Sequence, residues 1–292
     1  MTVKLGAVFP QTEIGEDPAP VCAFAEGVQE LGFHHLMAYD HVLGAERERH
    51  QHLLGPYRAE HQFHEILVLF GYLAAIVPRL ELVTGVIIAP QRQTALLAKQ
   101  AAEVDILTGG KFRCGLGIGW NDVEYEALGM DFTNRGQRFE EQIELLRRFW
   151  TEPVFDFEGR WHKVTAAGIN PLPVQRPIPI WIGGSAERAL KRAALLADGL
   201  FPQRPLEAGW EATLEQMRTW AEEAGRDWNA FGIDQRISVA ADGPDEWRAA
   251  AEEWIGLGAS HITLVTTGAD FQSPDEHLDR LREGRVALEG LY

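Results

Sequence analysis

Cysteine is scarce in this chain, and long apolar runs are absent. The 292 residues include two cysteines, Cys22 and Cys114, which lie far apart and form no Cys-x-x-Cys pair. This usage argues against a disulfide scaffold, favours a reducing compartment and predicts that both cysteines are small buried residues. No apolar run reaches the roughly 18 residues from which a membrane span is predicted. The first residues read as a strand rather than a signal peptide, so we expect a cytoplasmic protein.

Basic residues are also few compared with acidic ones. Lys and Arg number 27 against 43 Asp and Glu, which gives a formal net charge of −16. Because an acidic surface repels phosphate backbones and anionic lipids, we expect neither a nucleic-acid partner nor a membrane partner. Hydrophobic residues make up 46% of the chain, enough for a full globular core. No linker or low-complexity tract divides the sequence, so residues 1–292 are predicted to form a single domain.

Strand-like and helix-like segments alternate along the whole chain. The strand-like segments cover residues 3–9, 33–39, 80–89, 111–118, 178–182, 199–201, 233–240 and 261–265. The helix-like segments that follow them cover residues 18–31, 63–77, 94–107, 134–150, 186–197, 207–224, 244–256 and 274–289. Eight such pairs in a chain of this length predict a (β/α)8 TIM barrel. A doubly wound open sheet is the alternative, but no Gly-x-Gly-x-x-Gly follows the first strand.

Two insertions interrupt this rhythm. Residues 42–62 are polar, and residues 153–177 contain a predicted hairpin, with strands at 154–157 and 161–164. Long insertions in a barrel usually serve its mouth, as lids or substrate walls. We therefore expect both insertions to enclose the substrate.

Barrel active sites lie at the carboxyl ends of the strands, which draws attention to the residues directly after each strand. Asp40 and His41 follow the second strand-like segment. An Asp-His pair there can orient a cofactor and supply a proton donor or acceptor near neutral pH. The same pair can instead cap local backbone, and spacing alone leaves both interpretations open.

Glycines accumulate at two of the other strand ends. Gly117 and Gly119 belong to an alternating run after the fourth strand, and Gly85 lies inside the third. Missing side chains allow a flat ligand to approach the backbone, but tight packing explains the same pattern. Gly183-Gly184-Ser185 precedes a helix, where free N–H groups and the positive helix end suit a phosphate. An ordinary Ser N-cap is the alternative for this motif.

Histidines gather in and beside the first insertion, namely His50, His52, His61 and His64. No cysteine or carboxylate completes a known metal-ligand spacing, so no metal site is predicted there. The hypothesis of a metal-dependent hydrolase is supported by these histidines alone. We expect solvated or substrate-facing imidazoles, with His64 lining the mouth.

Several of these motifs occur together in a recognisable order. YDH stands at 39–41, a block beginning LVTGVIIAPQ covers 82–141, and a block containing IPIWIGGSAERAL covers 170–199. In these blocks the chain resembles the luciferase-like monooxygenase superfamily of flavin and deazaflavin (coenzyme F420) oxidoreductases. The likeness continues more weakly towards the end of the chain. Asp40-His41 and the Gly-Gly-Ser block lean towards the F420-dependent members.

The resemblance implies a bacterial luciferase-like barrel with the cofactor at its mouth. It implies a non-prolyl cis peptide bond in the third strand, between Gly85 and Val86, and it makes Asp40 a cofactor contact and His41 the catalytic residue. The further residues implied at the cofactor are Gly85, Val86, Gly117, Gly119, Gly183, Gly184 and Ser185, of which the last three would hold its phosphate. Trp120 stands where some F420-dependent members carry an acidic residue. This suggests a different substrate, with His64 and Trp120 as candidate contacts.

The resemblance therefore favours an oxidoreductase that transfers hydride between F420 and a small organic substrate. One alternative is an FMNH2-dependent monooxygenase supplied with reduced FMN by a separate reductase. A second is a non-catalytic barrel that binds flavin. The resemblance also implies a homodimer.

Overall fold

Eight parallel strands close on themselves in the computed structural model, which describes residues 2–55, 57–203 and 209–292. The strands of the described chain are β1 (Lys4–Val8), β2 (His35–Ala38), β3 (Glu81–Thr84), β4 (Ile87–Ile88), β5 (Phe112–Gly117), β6 (Phe155–Glu158), β7 (Lys163–Ala167), β8 (Ile180–Gly184), β9 (Gly199–Pro202), β10 (Gly232–Ser238) and β11 (His261–Val265). Around the barrel their order is β1, β2, β3, β5, β8, β9, β10 and β11, and β11 pairs back onto β1. The predicted TIM barrel is confirmed, and the open sheet is wrong.

Helices cover the outside of the barrel between successive strands. They are α1 (Pro18–Glu30), α2 (Ile66–Ile76), α3 (Thr94–Leu107), α4 (Asp122–Ala127), α5 (Arg135–Thr151), α6 (Glu187–Leu196), α7 (Trp210–Glu223), α8 (Pro244–Gly256) and α9 (Pro274–Ala287). Local signals set several of their ends. At α9, for example, Ser273 and Glu276 form a capping box around Pro274. The predicted helix at 207–224 begins at residues outside the described ranges, and the short α4 was not predicted.

Three further expectations concern the core and the second insertion. The predicted third strand is interrupted, because the peptide bond between Gly85 and Val86 is cis, as the resemblance implies. The predicted hairpin is confirmed as the antiparallel pair β6–β7. Cys114 is buried as expected, but the same expectation is wrong for Cys22. Cys22 is only half-buried, because it lies at the surface between α1 and α2, with its Sγ 3.1 Å from the Tyr72 hydroxyl.

The barrel interior is filled in layers, since alternate residues of each strand point inward. At the N-terminal end of the strands the buried inward residues are polar, and they are His35, Arg113, Asp234, His261 and Thr263. Nearer the carboxyl ends the buried inward residues are apolar, and they are Val8, Met37, Val83, Trp181 and Phe201. The polar layer faces away from the mouth, so it supports the barrel rather than its chemistry.

Within the described ranges, every helix is too short or too polar to cross a membrane.

The polar layer predicts how the barrel responds to a single added methyl group. A Cβ atom at Gly6 would overlap the ring of His35, which Thr263 and Asp234 hold in place. Gly6→Ala is therefore expected to lower the free energy of unfolding by about 2–3 kcal/mol. Gly71→Ala is the matched control, because Gly71 lies in α2 with open space around its Cα. The control should raise stability by about 0.5–1 kcal/mol. Urea unfolding followed by circular dichroism measures both variants, and equal effects would contradict the packing argument.

Candidate active site at the barrel mouth

Asp40 lies directly after β2 and is buried, with both carboxylate oxygens engaged by the protein. Arg92 Nη2 donates to Oδ1 over 2.6 Å, and the Ile88 N–H donates to Oδ2 over 3.2 Å. Burial raises the pKa of the Asp40 carboxyl above its usual value, and the Arg92 guanidinium offsets part of that rise. Asp40 thus fixes the start of this loop to β4 and to Arg92, which also pairs with Glu65 at 3.1 Å.

His41 is the next residue, and a buried carboxylate holds it. Glu124 Oε2 lies 3.4 Å from His41 Nδ1, and the His41 side chain is 10% exposed. Glu124 also accepts the backbone N–H groups of Val42, over 2.5 Å, and Leu43, over 3.2 Å. Burial alone would raise the pKa of Glu124, but the His41 imidazole and these donors bring it below its usual value. One carboxylate therefore orients the imidazole and the loop that carries it.

Sequence reasoning did not single out Glu124. It placed Trp120 where some relatives carry an acid, whereas the chain supplies a carboxylate four residues later. Asn121 caps α4 and accepts the Glu124 N–H over 3.3 Å, so Glu124 stands in the first helical turn. An Asn before a carboxylate-rich turn is the sequence signal that could have located it.

Aromatic side chains surround the His41 ring. The ring centroids of Tyr57, Phe63 and Trp120 lie 4.8, 5.1 and 5.7 Å from that of His41. Tyr57 and Phe63 line a cavity of about 340 Å³ together with His41 and His61. Burial raises the pKa of the Tyr57 hydroxyl, so it stays protonated at neutral pH. The first insertion thus places apolar rings around one imidazole.

Val86 and two glycines form the adjacent part of the mouth. Val86 is half-buried, and a Cβ atom at Gly117 or Gly183 would approach its methyl groups to 2.7 or 3.0 Å. Gly119 has a φ of +64°, and a Cβ there would lie 2.9 Å from Ile88. The glycines are therefore required by packing against β4. They also leave Val86 as an apolar surface flanked by bare backbone.

The Gly183-Gly184-Ser185 motif leads into α6 as predicted, although Ser185 does not cap the helix. The N-cap is Ala186, which offers no side-chain acceptor. A Cβ atom at Gly184 would lie 2.7 Å from that of Ala189, so glycine allows the first helical turn to pack directly on β8. Within the described chain, no side chain accepts a hydrogen bond from the first N–H groups of α6.

His64 lies at the mouth, but its ring is engaged by backbone. Its Nε2 is 3.2 Å from the Gly15 carbonyl oxygen, and its N–H donates to Gln11 Oε1 over 3.0 Å. His64 thus joins the loop after β1 to the start of α2. Of the other loop histidines, His52 pairs with Asp122 at 3.1 Å. In the described part of the chain, the histidines of this loop form no group of three metal-ligating side chains.

The hairpin is attached to the helices beside the mouth. His162 Nε2 lies 2.7 Å from Thr94 Oγ1 at the start of α3, and its Nδ1 lies 2.6 Å from Glu141 Oε1 in α5. A cavity of about 400 Å³ separates the hairpin from these helices, and Arg92 is among its lining residues. Arg92 thus lines the hairpin cavity while it pairs with Asp40.

The chain is similar in sequence to several known proteins, of which two are described here. An uncharacterised protein of Mycobacterium tuberculosis is 41% identical over 140 residues, which are 47% of each chain. The FMNH2-dependent dimethylsulfone monooxygenase of Pseudomonas putida is 30% identical over 203 residues, which are 68% of this chain and 55% of that protein. The matches span about half the length of these relatives.

Solved structures share the fold over the whole chain. An F420-dependent secondary alcohol dehydrogenase, solved with an F420–acetone adduct, has a TM-score of 0.81 at 15% identity and covers 99% of this chain and 100% of that one. At such low identity the likeness establishes the barrel alone. The sequence model of luciferase-like monooxygenases, in contrast, matches residues 3–289. The chain therefore belongs to the luciferase-like monooxygenase family.

Proposed function

We propose that this protein is an F420-dependent oxidoreductase that transfers hydride between the deazaflavin and a small organic substrate. The observation that carries the proposal is the arrangement of His41, held 3.4 Å from Glu124 and enclosed by three aromatic rings. A hydride transfer to or from carbon is accompanied by a proton transfer, and an oriented imidazole at the barrel mouth suits that step.

We propose that the cofactor ring lies against Val86 at the mouth, next to Gly85. Val86 is apolar and half-buried, and it packs on the backbone of Gly117 and Gly183, which carry no Cβ atom. Gly119 would border the same ring or its chain. When bound, F420 supplies the carbon that donates or accepts hydride. The residues of this chain fix its position and exclude water.

The phosphate of the cofactor would lie at Gly184 and Ser185, before the uncapped first turn of α6. The acidic chain needs local positive charge for an anionic tail. Arg92 is committed to Asp40 and Glu65, whereas Arg188 is exposed in the first turn of α6. We therefore assign Arg188 to the cofactor tail.

Asp40 acts through its neighbours in this proposal. Because Arg92 and the Ile88 N–H occupy both oxygens of Asp40, its role is to position β4 beside the cofactor ring. His41 would donate or remove the proton, with Glu124 fixing its orientation. Trp120 would contact the substrate, and His64 would hold the wall of the substrate cavity in place.

An FMNH2-dependent monooxygenase is the second candidate. The 30% identity to the FMNH2-dependent dimethylsulfone monooxygenase favours it. In that case a separate reductase would supply the reduced flavin. A non-catalytic flavin-binding barrel is the third reading, and turnover measurements distinguish it from both.

A homodimer is part of the proposal. Val68 and Tyr72 on α2 and Leu96 on α3 are exposed apolar side chains on adjacent outer helices. Exposed apolar patches of this kind mark protein interfaces. We propose that two copies pack through α2 and α3.

Cofactor titration is the first test of the proposal. The purified protein is titrated separately with F420 and with FMN while tryptophan fluorescence is followed, since Trp120 lies at the mouth. We expect F420 to bind at least ten-fold more tightly than FMN. The reverse preference, with oxygen consumption driven by FMNH2, would support the monooxygenase. Binding weaker than about millimolar for both, a binding free energy of only about −4 kcal/mol, would contradict the cofactor site.

His41→Ala tests the proton-transfer role once a substrate is found. The variant should bind cofactor normally and lose about 10²-fold or more in turnover. His50→Ala removes a histidine from the first insertion, which directly follows His41, and should leave turnover unchanged. A His41→Ala variant with full activity would exclude His41 as the catalytic residue.

Glu124→Gln separates orientation of the imidazole from packing of the loop. The amide keeps the size of the side chain but removes the charge beside His41. Turnover should fall about ten-fold or more, because the imidazole loses the carboxylate that orients it. Steady-state kinetics, with Glu126→Gln on the same helix as control, measures the effect. Unchanged turnover would contradict an orienting role for Glu124.

The proposed dimer is tested by introducing charged residues on the exposed faces of α2 and α3. Val68→Asp combined with Leu96→Asp should convert the dimer into a monomer, because burying two carboxylates in an apolar interface is costly. Val286→Asp is the control, since Val286 is equally exposed but lies on α9. Light scattering after size-exclusion chromatography gives the mass. A wild-type monomer would contradict the dimer.

A further inference from the structure

A buried histidine at the N-terminal end of the barrel carries a nitrogen without a partner. His35, the first residue of β2, is fully buried, and its Nε2 lies 2.7 Å from Thr263 Oγ1 and 3.3 Å from Asp234 Oδ2. Its Nδ1 is buried and has no hydrogen-bond partner among the described residues. Buried polar atoms are almost always paired, so this nitrogen requires an explanation.

The hydrogen bonds around His35 determine where its proton lies. Thr263 has one hydroxyl proton and donates it to Asp234 Oδ1 over 2.6 Å. Its oxygen is then free only to accept, so the proton between Thr263 and His35 belongs to His35 Nε2. In the neutral imidazole this leaves Nδ1 with an unshared lone pair. A lone pair of this kind can bind a metal ion.

Two more ligand groups lie beside His35. His34, His35 and Glu81 each offer one ligand atom within 4.8 Å of the other two. Arg113 donates to Glu81 Oε2 over 3.0 Å, while Glu81 Oε1 accepts no hydrogen bond from the described residues. His34 is 41% exposed, so the group is open to solvent from one side. Two imidazoles and a carboxylate form a ligand set typical of zinc.

The charges and the outer contacts of the cluster fit a cation. With neutral histidines, Glu81, Asp234 and Arg113 sum to a charge of −1. The other nearby cation, Lys4, is exposed and can turn away. The contacts of His35 Nε2 with Thr263 and Asp234 are the outer partners that orient metal-binding histidines. Ligand atoms around zinc lie about 3.3 Å apart, so His34 and Glu81 need only small side-chain rotations.

We propose that His34, His35 and Glu81 bind a divalent transition-metal ion, with zinc as the best match, at the end of the barrel opposite the mouth. The ion would join β2 to β3 and leave one coordination position for water. Since this end of a barrel supports stability rather than catalysis, its role is structural. It does not depend on the cofactor or substrate proposed above.

The test uses the whole protein after treatment with a chelator. Co²⁺ is added near neutral pH and its visible absorption is recorded, and Zn²⁺ binding is measured by calorimetry and by the shift of the unfolding temperature. We expect one equivalent of each ion to bind, with the intense absorption of tetrahedral cobalt and a higher unfolding temperature. His34→Ala should weaken binding by more than the roughly 10–100-fold typical for losing an outer partner.

His52→Ala is the matched control, because His52 is another exposed histidine beside a carboxylate, Asp122. It should leave the stoichiometry and affinity unchanged. Glu81→Gln should weaken binding as His34→Ala does, while circular dichroism confirms that both variants fold. The proposal is overturned if affinity is weaker than about millimolar, if His34→Ala binds like the wild type, or if binding is lost in His52→Ala.

Discussion

The barrel depends on one buried cation, Arg113. It extends from β5 into the interior, where it donates to Asp234 of β10 over 2.9 Å and to Glu81 of β3 over 3.0 Å, and stacks on Trp181 of β8 at 4.4 Å. β5 and β10 are not neighbours, so the pair with Asp234 crosses the interior. An unpaired buried charge is strongly destabilising. Arg113 is therefore satisfied only when the sheet has closed, which makes closure a condition of stability.

At the opposite end of the barrel, the carboxylate of Glu124 likewise holds several separate parts of the chain together. Glu124 accepts hydrogen bonds from the N–H groups of Val42 and Leu43 and from the amide of Gln91, and its Oε2 lies 3.4 Å from His41 Nδ1. A side chain that satisfies several donors at once cannot move without leaving some of them unpaired. The geometry of the proposed proton transfer is thus fixed before a substrate arrives. One end of the barrel thus holds the contacts that depend on closure, and the other end holds the residues of the proposed proton transfer.

Local sequence signals were sufficient to predict most of the helices and strands. The segments 94–107, 244–256 and 261–265 were predicted to the residue, because prolines, glycines and caps mark their ends. Gly85 inside the third strand indicates a bulge, a bend, close ligand approach or tight packing, and only the family resemblance implies the cis peptide bond that interrupts the strand. Glu124 was missed because α4 has six residues, too few for a clear periodic signal, and because its partner His41 is distant in sequence. The partners of Asp40 and His35 are equally non-local, and no local pattern encodes them.

The first insertion is fastened at both of its ends. Glu124 holds Val42 and Leu43 where the insertion begins, and Gln11 holds His64 where it ends. The chain between these anchors contributes Tyr57 and Phe63 to the cavity around His41. Because the entropy cost of a closed loop rises slowly with its length, residues can be exchanged, added or removed there at small expense. The cavity around His41 can therefore change in shape and polarity while the anchors at both ends of the insertion keep the imidazole in place.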